Sequence, residues 1–208
     1  MRDNFVITIG REFGSQGHTI GEKLAGKLEI PLYDKNIVKE AAKKSGYDEN
    51  LFEQIDEKHT TSLLFSIAMN LFPYTSKMEH LDEFSFEDKL YVIQKNIIGE
   101  FAQKGSCVIV GRCSNYVLKD YENSFHVFIY CDREKRIEYV CKKYKMNEKE
   151  AEELVHKMDK KRSSYYNYYT GSKWGSKYDY NLLFNSSKLT TDEIADLLEQ
   201  LIKKKYAL

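Results

Sequence analysis

Ile7-Thr8-Ile9-Gly10-Arg11-Glu12-Phe13-Gly14-Ser15-Gln16-Gly17-His18-Thr19-Ile20-Gly21 is the stretch whose reading decides the fold. An apolar run (Phe5, Val6, Ile7, Ile9) stops at Gly10, a loop of small residues follows, and Ile20, Leu24, Ala25 and Leu28 then recur at helical spacing. An unbroken β-branched run suits a strand covered on both faces. A strand, a glycine-rich turn and a helix start together hold a phosphate on bare backbone amides, helped by the helix dipole. Gly10, Arg11, Gly14, Ser15, Gln16, Gly17, His18 and Thr19 are therefore the candidate phosphate-binding residues. No lysine lies between Gly10 and Thr19.

Outward from this stretch, strands and helices alternate. Ile30-Pro31-Leu32-Tyr33 reads as a second strand, with Asp34 placed to cap a helix through Ile37, Val38 and Ala41. From Tyr47 to Phe86 the pattern is helical but irregular and suits an insertion better than a core element. Ser85-x-x-Asp88 opens a long helix through Ile97, Ile98 and Phe101 that Gly105 ends. Cys107 to Gly111 is a strand with Arg112 at its carboxyl end, and His126 to Tyr130 is another, followed by Asp132 as a helix cap. Asn147-x-x-Glu150 is a capping box for a helix carrying Ala151, Leu154, Val155 and Met158. It leads through Lys157–Arg162 into the aromatic run Tyr165 to Tyr169. Tyr180 to Asn185 is the last strand, and Thr190 or Thr191 caps a final helix with Ile194, Leu197, Leu198 and Leu201. Such alternation predicts a parallel α/β sheet, in which ligands bind at the carboxyl ends of the strands. Gly10, Asp34, Arg112 and Asp132 all follow directly on strands and should gather along one edge.

The 208 residues suffice for one domain with a subdomain or lid. Lysine plus arginine and aspartate plus glutamate both number 32, which argues against a general nucleic-acid or membrane-surface role. No apolar run approaches the ~20 residues of a membrane span. No signal peptide is expected from the way the N-terminal residues enter a strand, and Cys107, Cys113, Cys131 and Cys141 lack Cys-x-x-Cys spacing. A cytoplasmic protein with reduced thiols and no metal cage is expected.

The chain is similar to the nucleoside monophosphate kinase group of P-loop proteins, and most to the cytidylate kinase-like family. The segments that carry the resemblance are Ile7 to Ser15, Pro31-Leu32-Tyr33-Asp34-Lys35, Val108-Ile109-Val110-Gly111-Arg112, and Trp174 with Tyr180 to Asn185. The resemblance spans nearly the whole chain. It implies an α/β fold of three layers, a P-loop NTPase-type parallel sheet with helices on both faces. To this it adds a helical NMP-binding insertion at about 46–86 and a lid at about 133–175. It implies ATP with Mg²⁺ as donor, a nucleoside monophosphate acceptor of the CMP or dCMP type, and no nucleic-acid or membrane partner. Asp34 and Arg112 match the acceptor-binding positions, and Arg136 and Arg162 fall where lid arginines close over the transferring phosphoryl group. Two departures stand out. Cys113 stands where an aspartate follows the matched arginine. The consensus Gly-x-x-x-x-Gly-Lys-Ser/Thr also fails, and with Gly14-Ser15 and Thr19 as anchors its lysine place falls on Gly17.

Phosphoryl transfer demands positive charge around the equatorial oxygens. Without the lysine, Arg11 and His18 are the local candidates and Arg162 and Lys160 the remote ones. His18 ranks below Arg11, because the dipole disfavours a cation at a helix N-terminus. Thr19 is the candidate magnesium-side hydroxyl, and Arg112 can hold a phosphate bidentately. Blander readings stand beside these: a cap for Asp34, a solvated helix face for Lys157–Arg162, a structural arginine for Arg11. The function expected is ATP-dependent phosphoryl transfer to a nucleoside monophosphate. The alternatives are a catalytically degenerate nucleotide sensor, or a kinase with a non-nucleotide acceptor.

Overall fold

The computed structural model describes residues 4–34 and 86–208, and the chain divides into two units, Met1–Asp34 with Ala102–Leu208, and Lys35–Phe101. The insertion expected at about 46–86 and the helix expected after Asp34 fall almost entirely outside the described residues.

The first unit is built on a five-stranded, all-parallel sheet in the order β2-β3-β1-β4-β5. Its strands are β1 (Val6–Arg11), β2 (Leu32–Tyr33), β3 (Cys107–Val110), β4 (Ser124–Tyr130) and β5 (Leu182–Asn185). The helices are α1 (Gly17–Lys27), α2 (Phe86–Lys104), α3 (Ser114–Val117), α4 (Arg133–Tyr144), α5 (Glu148–Thr170) and α6 (Thr191–Tyr206). Most of α2 belongs to the second unit.

Side chains alternate across a strand, so β1 and β4 each serve two faces. Ile7, Ile9, Val127 and Ile129 face Ile20, Leu24 and Ala25 of α1 and Ile194, Leu198 and Ile202 of α6 in one buried cluster. Thr8, Gly10, His126 and Phe128 turn to the other face, where Trp174 and Tyr180 pack on the Phe128 ring at 5.3 and 5.1 Å. Among the residues expected to line α6, Leu197 and Leu201 are exposed; the buried stripe is Ile194, Ala195, Leu198 and Ile202. The sequence reading took every leucine of the helix, and the true face is one residue step around it.

Three differences bear on the site. β1 runs two residues further than the apolar run suggests, so Arg11 is its last residue. The turn after β3 contains a helix that the sequence did not announce, α3, entered through three consecutive left-handed residues, Gly111 (φ 81°), Arg112 (φ 59°) and Cys113 (φ 54°). The aromatic run does not leave α5 but completes it, and Gly171 (φ 68°) ends it in the left-handed conformation that glycine adopts without strain. The expected capping box of Asn147 with Glu150 forms, and of the two caps offered for α6 it is Thr190 that serves, in a second box with Glu193.

Candidate active site

The loop between β1 and α1 is held by its own carboxyl-end neighbours. The Glu12 amide donates to the Ile129 carbonyl (3.0 Å), and the Phe13 amide to Asp159 Oδ1 of α5 (2.7 Å). The buried Ser15 hydroxyl donates back to the Glu12 carbonyl (2.9 Å), and Ser186 Oγ donates to the Ser15 carbonyl (3.0 Å). Gly14 (φ 84°) and Gln16 (φ 60°) are left-handed, which turns successive amides toward one point. The amides of Gly14, Gln16, Gly17, His18 and Thr19 make no hydrogen bond among the described residues. Gln16 caps α1 with no side-chain bond, so the helix start itself is open. This is the geometry that binds phosphate oxygens.

Arg11 lies across the start of α1. A Cβ at Gly17 would stand 2.6 Å from Arg11 Cβ, and one at Gly111 would overlap Arg11 Nη1. The arginine stem therefore crosses the first residue of α1, and its head reaches the turn after β3. The space beside Gly17 is the one through which the Arg11 stem passes. The residue directly before Thr19, where the consensus order puts its lysine, is His18, one step beyond the place read from the sequence. Its ring is turned aside, with Nε2 3.0 Å from Asp34 Oδ2 and Nδ1 3.3 Å from Glu22 Oε2.

The Arg11 guanidinium is buried, and its Nε has no hydrogen-bond partner among the described residues. Burial, then the neighbouring charges of Arg162 and Arg112, push it down to about 9, with Asp34 and Tyr180 acting in the opposite direction. Arg162 donates to the Arg11 carbonyl (3.1 Å) and lies 5.3 Å from the Phe13 ring centre. It too is lowered by desolvation, against Asp159. Arg11 thus lies buried beside two further positive charges, Arg162 and Arg112, and a bound anion would offset that charge.

Arg136 stands differently. It is paired with Asp159, lies 3.5 Å from Glu12 Oε2, donates to the Phe13 carbonyl (3.4 Å), and its backbone closes against Gly14. Glu12 Oε2 also accepts from the Cys131 amide (3.0 Å). Burial raises the Glu12 carboxyl, opposed by the Cys131 amide and then Arg136. Lys160 is exposed and touches none of these groups among the described residues. Gly10 is where Tyr180 and Phe128 close on the backbone: a Cβ there would meet Phe128 at 2.7 Å and the Tyr180 hydroxyl at 2.9 Å. Asp132, at the start of α4, accepts from Asn185 (3.3 Å).

Tyr180, Glu12 and Asp159 were not singled out in the sequence. Only Glu12, inside the loop, carried a signal there; the other two reach the site through tertiary packing. Thr19, third residue of α1, has a hydroxyl with no partner among the described residues, so it fits a magnesium ion, which takes oxygen ligands from one or two side chains and the phosphates. No cluster of three or more His, Cys, Asp or Glu among the described residues could hold a metal by itself.

A parallel α/β sheet with an open amide loop and converging arginines at its carboxyl edge defines a phosphate-handling protein of P-loop kinase type. The chain belongs to the cytidylate kinase-like family, whose model matches residues 6–188. It is similar to an uncharacterized protein from Eubacterium ventriosum ATCC 27560 at 31% identity and TM-score 0.69, with 96% of this chain and 98% of that one covered. More distant likenesses concern the fold alone. A gluconokinase from Sinorhizobium meliloti 1021 shares 10% identity (TM-score 0.53, 100% and 96% covered). A shikimate kinase from Acinetobacter baumannii in complex with shikimate shares 14% (TM-score 0.51, 97% and 94% covered). No curated protein matches the chain. No described helix is long and apolar enough to cross a membrane.

Proposed function

We propose that this protein moves the terminal phosphoryl group of ATP to a nucleoside monophosphate, with CMP or dCMP as the preferred acceptor. The observation that carries this reading is the buried Arg11 guanidinium, incompletely bonded, set among Arg112 and Arg162 beneath five unbonded amides. Gly14 to Thr19 cradle the donor phosphates. Arg11 supplies the fixed charge that a lysine supplies elsewhere, and Arg162 stands over the same loop. Arg112 and Asp34, at the ends of β3 and β2, hold the acceptor. Thr19, with the phosphates, would hold a magnesium ion, which would supply charge neutralisation at the oxygens. An acceptor phosphate oxygen attacks the γ-phosphorus as the bond to the leaving ADP oxygen breaks. Arg11 and Arg162 are positioned to stabilise the charge spread over the equatorial oxygens. Arg136, already committed to Asp159 and Glu12, holds the loop in shape and is a positioning residue.

One observation favours a second reading, a kinase with a non-nucleotide acceptor. Cys113 replaces the aspartate that the resemblance leads one to expect, and burial pushes its thiol up to about 12. It offers no carboxylate to a cytosine amino group. A coupled phosphotransfer assay with ATP, Mg²⁺ and a panel of monophosphates and polyol acids separates the readings. Turnover of CMP or dCMP, lost in Arg112→Ala, is expected. Turnover of polyol acids alone selects the second reading. ATP binding without turnover on any acceptor makes the protein a sensor, and absence of any ATP or phosphate binding overturns all three.

A further inference from the structure

Phe13 belongs to the phosphate loop, yet its side chain packs away from it, against the apolar seam of α4 and α5 where Ile137, Val140, Ala151 and Val155 are buried. Its ring stacks on Tyr144 of α4, with centres 6.2 Å apart and planes 17° from parallel. Arg162 Cζ of α5 lies 5.3 Å from the same ring centre. The backbone of Phe13 is gripped at both ends: its amide donates to Asp159 Oδ1 (2.7 Å), and its carbonyl accepts from Arg136 (3.4 Å). Asp159 and Arg162 stand three apart on α5, so one turn of that helix takes hold of the amide and the ring of a single loop residue.

The guanidinium of Arg162 makes one hydrogen bond among the described residues, from Nη1 to the Arg11 carbonyl (3.1 Å). An arginine side chain is rich in rotamers, and a single bond fixes one point of its fork while leaving the plane free to turn. Asp159 offsets the Arg162 charge, but its oxygens are bonded to the Phe13 amide and paired with Arg136, and no ion pair holds Arg162 among the described residues. The aromatic face supplies the second constraint. A guanidinium is attracted to the negative face of a ring and lies flat on it, and an aliphatic side chain of similar bulk has no such face. Filling the seam between α4 and α5 asks only for an apolar residue at position 13. Fixing Arg162 asks for an aromatic one.

We propose that Phe13 is a positioning residue, whose ring holds the Arg162 guanidinium in place beside the phosphate loop before any phosphate arrives. Its effect on rate rests on the phosphotransfer reading; the ordering of Arg162 in the free chain does not. Two measurements keep these apart. The first is NMR relaxation of the Arg162 Nε–Hε group in the free full chain, assigned by its loss in Arg162→Lys. The group is ordered in the wild type. Phe13→Leu and Phe13→Met keep apolar bulk in the seam and remove the face, and in whichever of them folds by its melting profile the group becomes mobile. Phe13→Tyr, which puts the face back, recovers the order. The second is turnover with ATP, Mg²⁺ and the monophosphate that the wild type accepts. There Phe13→Leu or Phe13→Met loses about tenfold in kcat with the KM for ATP within about twofold, and adds no further loss to Arg162→Met. An Arg162 as ordered in these variants as in the wild type overturns the proposal. So does a fall in kcat that persists undiminished in the Arg162→Met background, which assigns Phe13 to packing alone. A wild type without turnover on any acceptor overturns the phosphotransfer reading instead, and the relaxation data then decide the positioning by themselves.

Discussion

Two sets of arginines flank the same loop, and they are neutralised differently. On one side Arg136 meets Asp159 and Glu12, and the Phe13 amide is drawn into the same cluster. On the other side Arg11 is buried and pushed down by the neighbouring charges of Arg162 and Arg112, with Asp34 acting against them, while Arg162 is offset by Asp159. The first set pairs Arg136 with two carboxylates of the chain and fixes the loop, although Arg136 Nε, like Arg11 Nε, makes no hydrogen bond among the described residues. In the second, burial and like charge act against the Arg11 cation, and a bound anion would offset that cost. Charge balance, more than the identity of the residue, separates an arginine that builds the site from one that works in it.

The comparison makes opposite demands on two isosteric changes. Arg136→Met strands two carboxylates and is expected to cost about 3–5 kcal/mol in urea unfolding, with loop function lost as a consequence. Arg11→Met removes an incompletely bonded charge, so the free protein should melt higher while phosphotransfer falls about 10²–10³-fold. A lower melting temperature for Arg11→Met would break the comparison. Next in size, Gly17→Ala places a methyl against the Arg11 stem and is expected to cost about 1–3 kcal/mol while weakening ATP binding. ATP affinity unchanged in this variant would mean that the Arg11 path is irrelevant to the donor.

The smallest effect is a matter of pH. Glu12 holds its proton above the ordinary 4.5 in the folded chain, chiefly through burial. Over the window opening at 4.5 the folded state binds more protons than the unfolded one, so stability is fully present below 4.5 and declines as pH rises through the folded value. Chemical denaturation of Glu12→Gln across that window should show the slope removed and little change below it. A steeper slope in the variant would assign the window to another group.

Much of the fold was legible because the signals are local. A strand ending at glycine, capping boxes at Asn147 and Thr190, and apolar runs in β3 and β4 each express their structure within a few residues. The candidate loop was legible for the same reason. What Arg11 does was not, since its role is defined by Gly17 six residues on and Gly111 a hundred residues on, where side chains are missing to let it through. Arg136 and Arg162 were read as one kind of residue because both fall where the resemblance puts lid arginines; only their tertiary partners tell them apart. α3 was missed because three left-handed residues precede it, and of these only Gly111 advertises such a conformation.

The helix α5 touches the loop at Asp159, the Arg11 carbonyl at Arg162 and Asn115 of α3 at Tyr166. These residues are three and four apart, so they share one stripe along the rod. Adding or removing a single residue between them would swing the later ones by ~100° around the axis. Lineages of this protein are therefore free to vary the outer surface of α5 and the length of the turns at its ends, but not the number of residues between Asp159 and Tyr166.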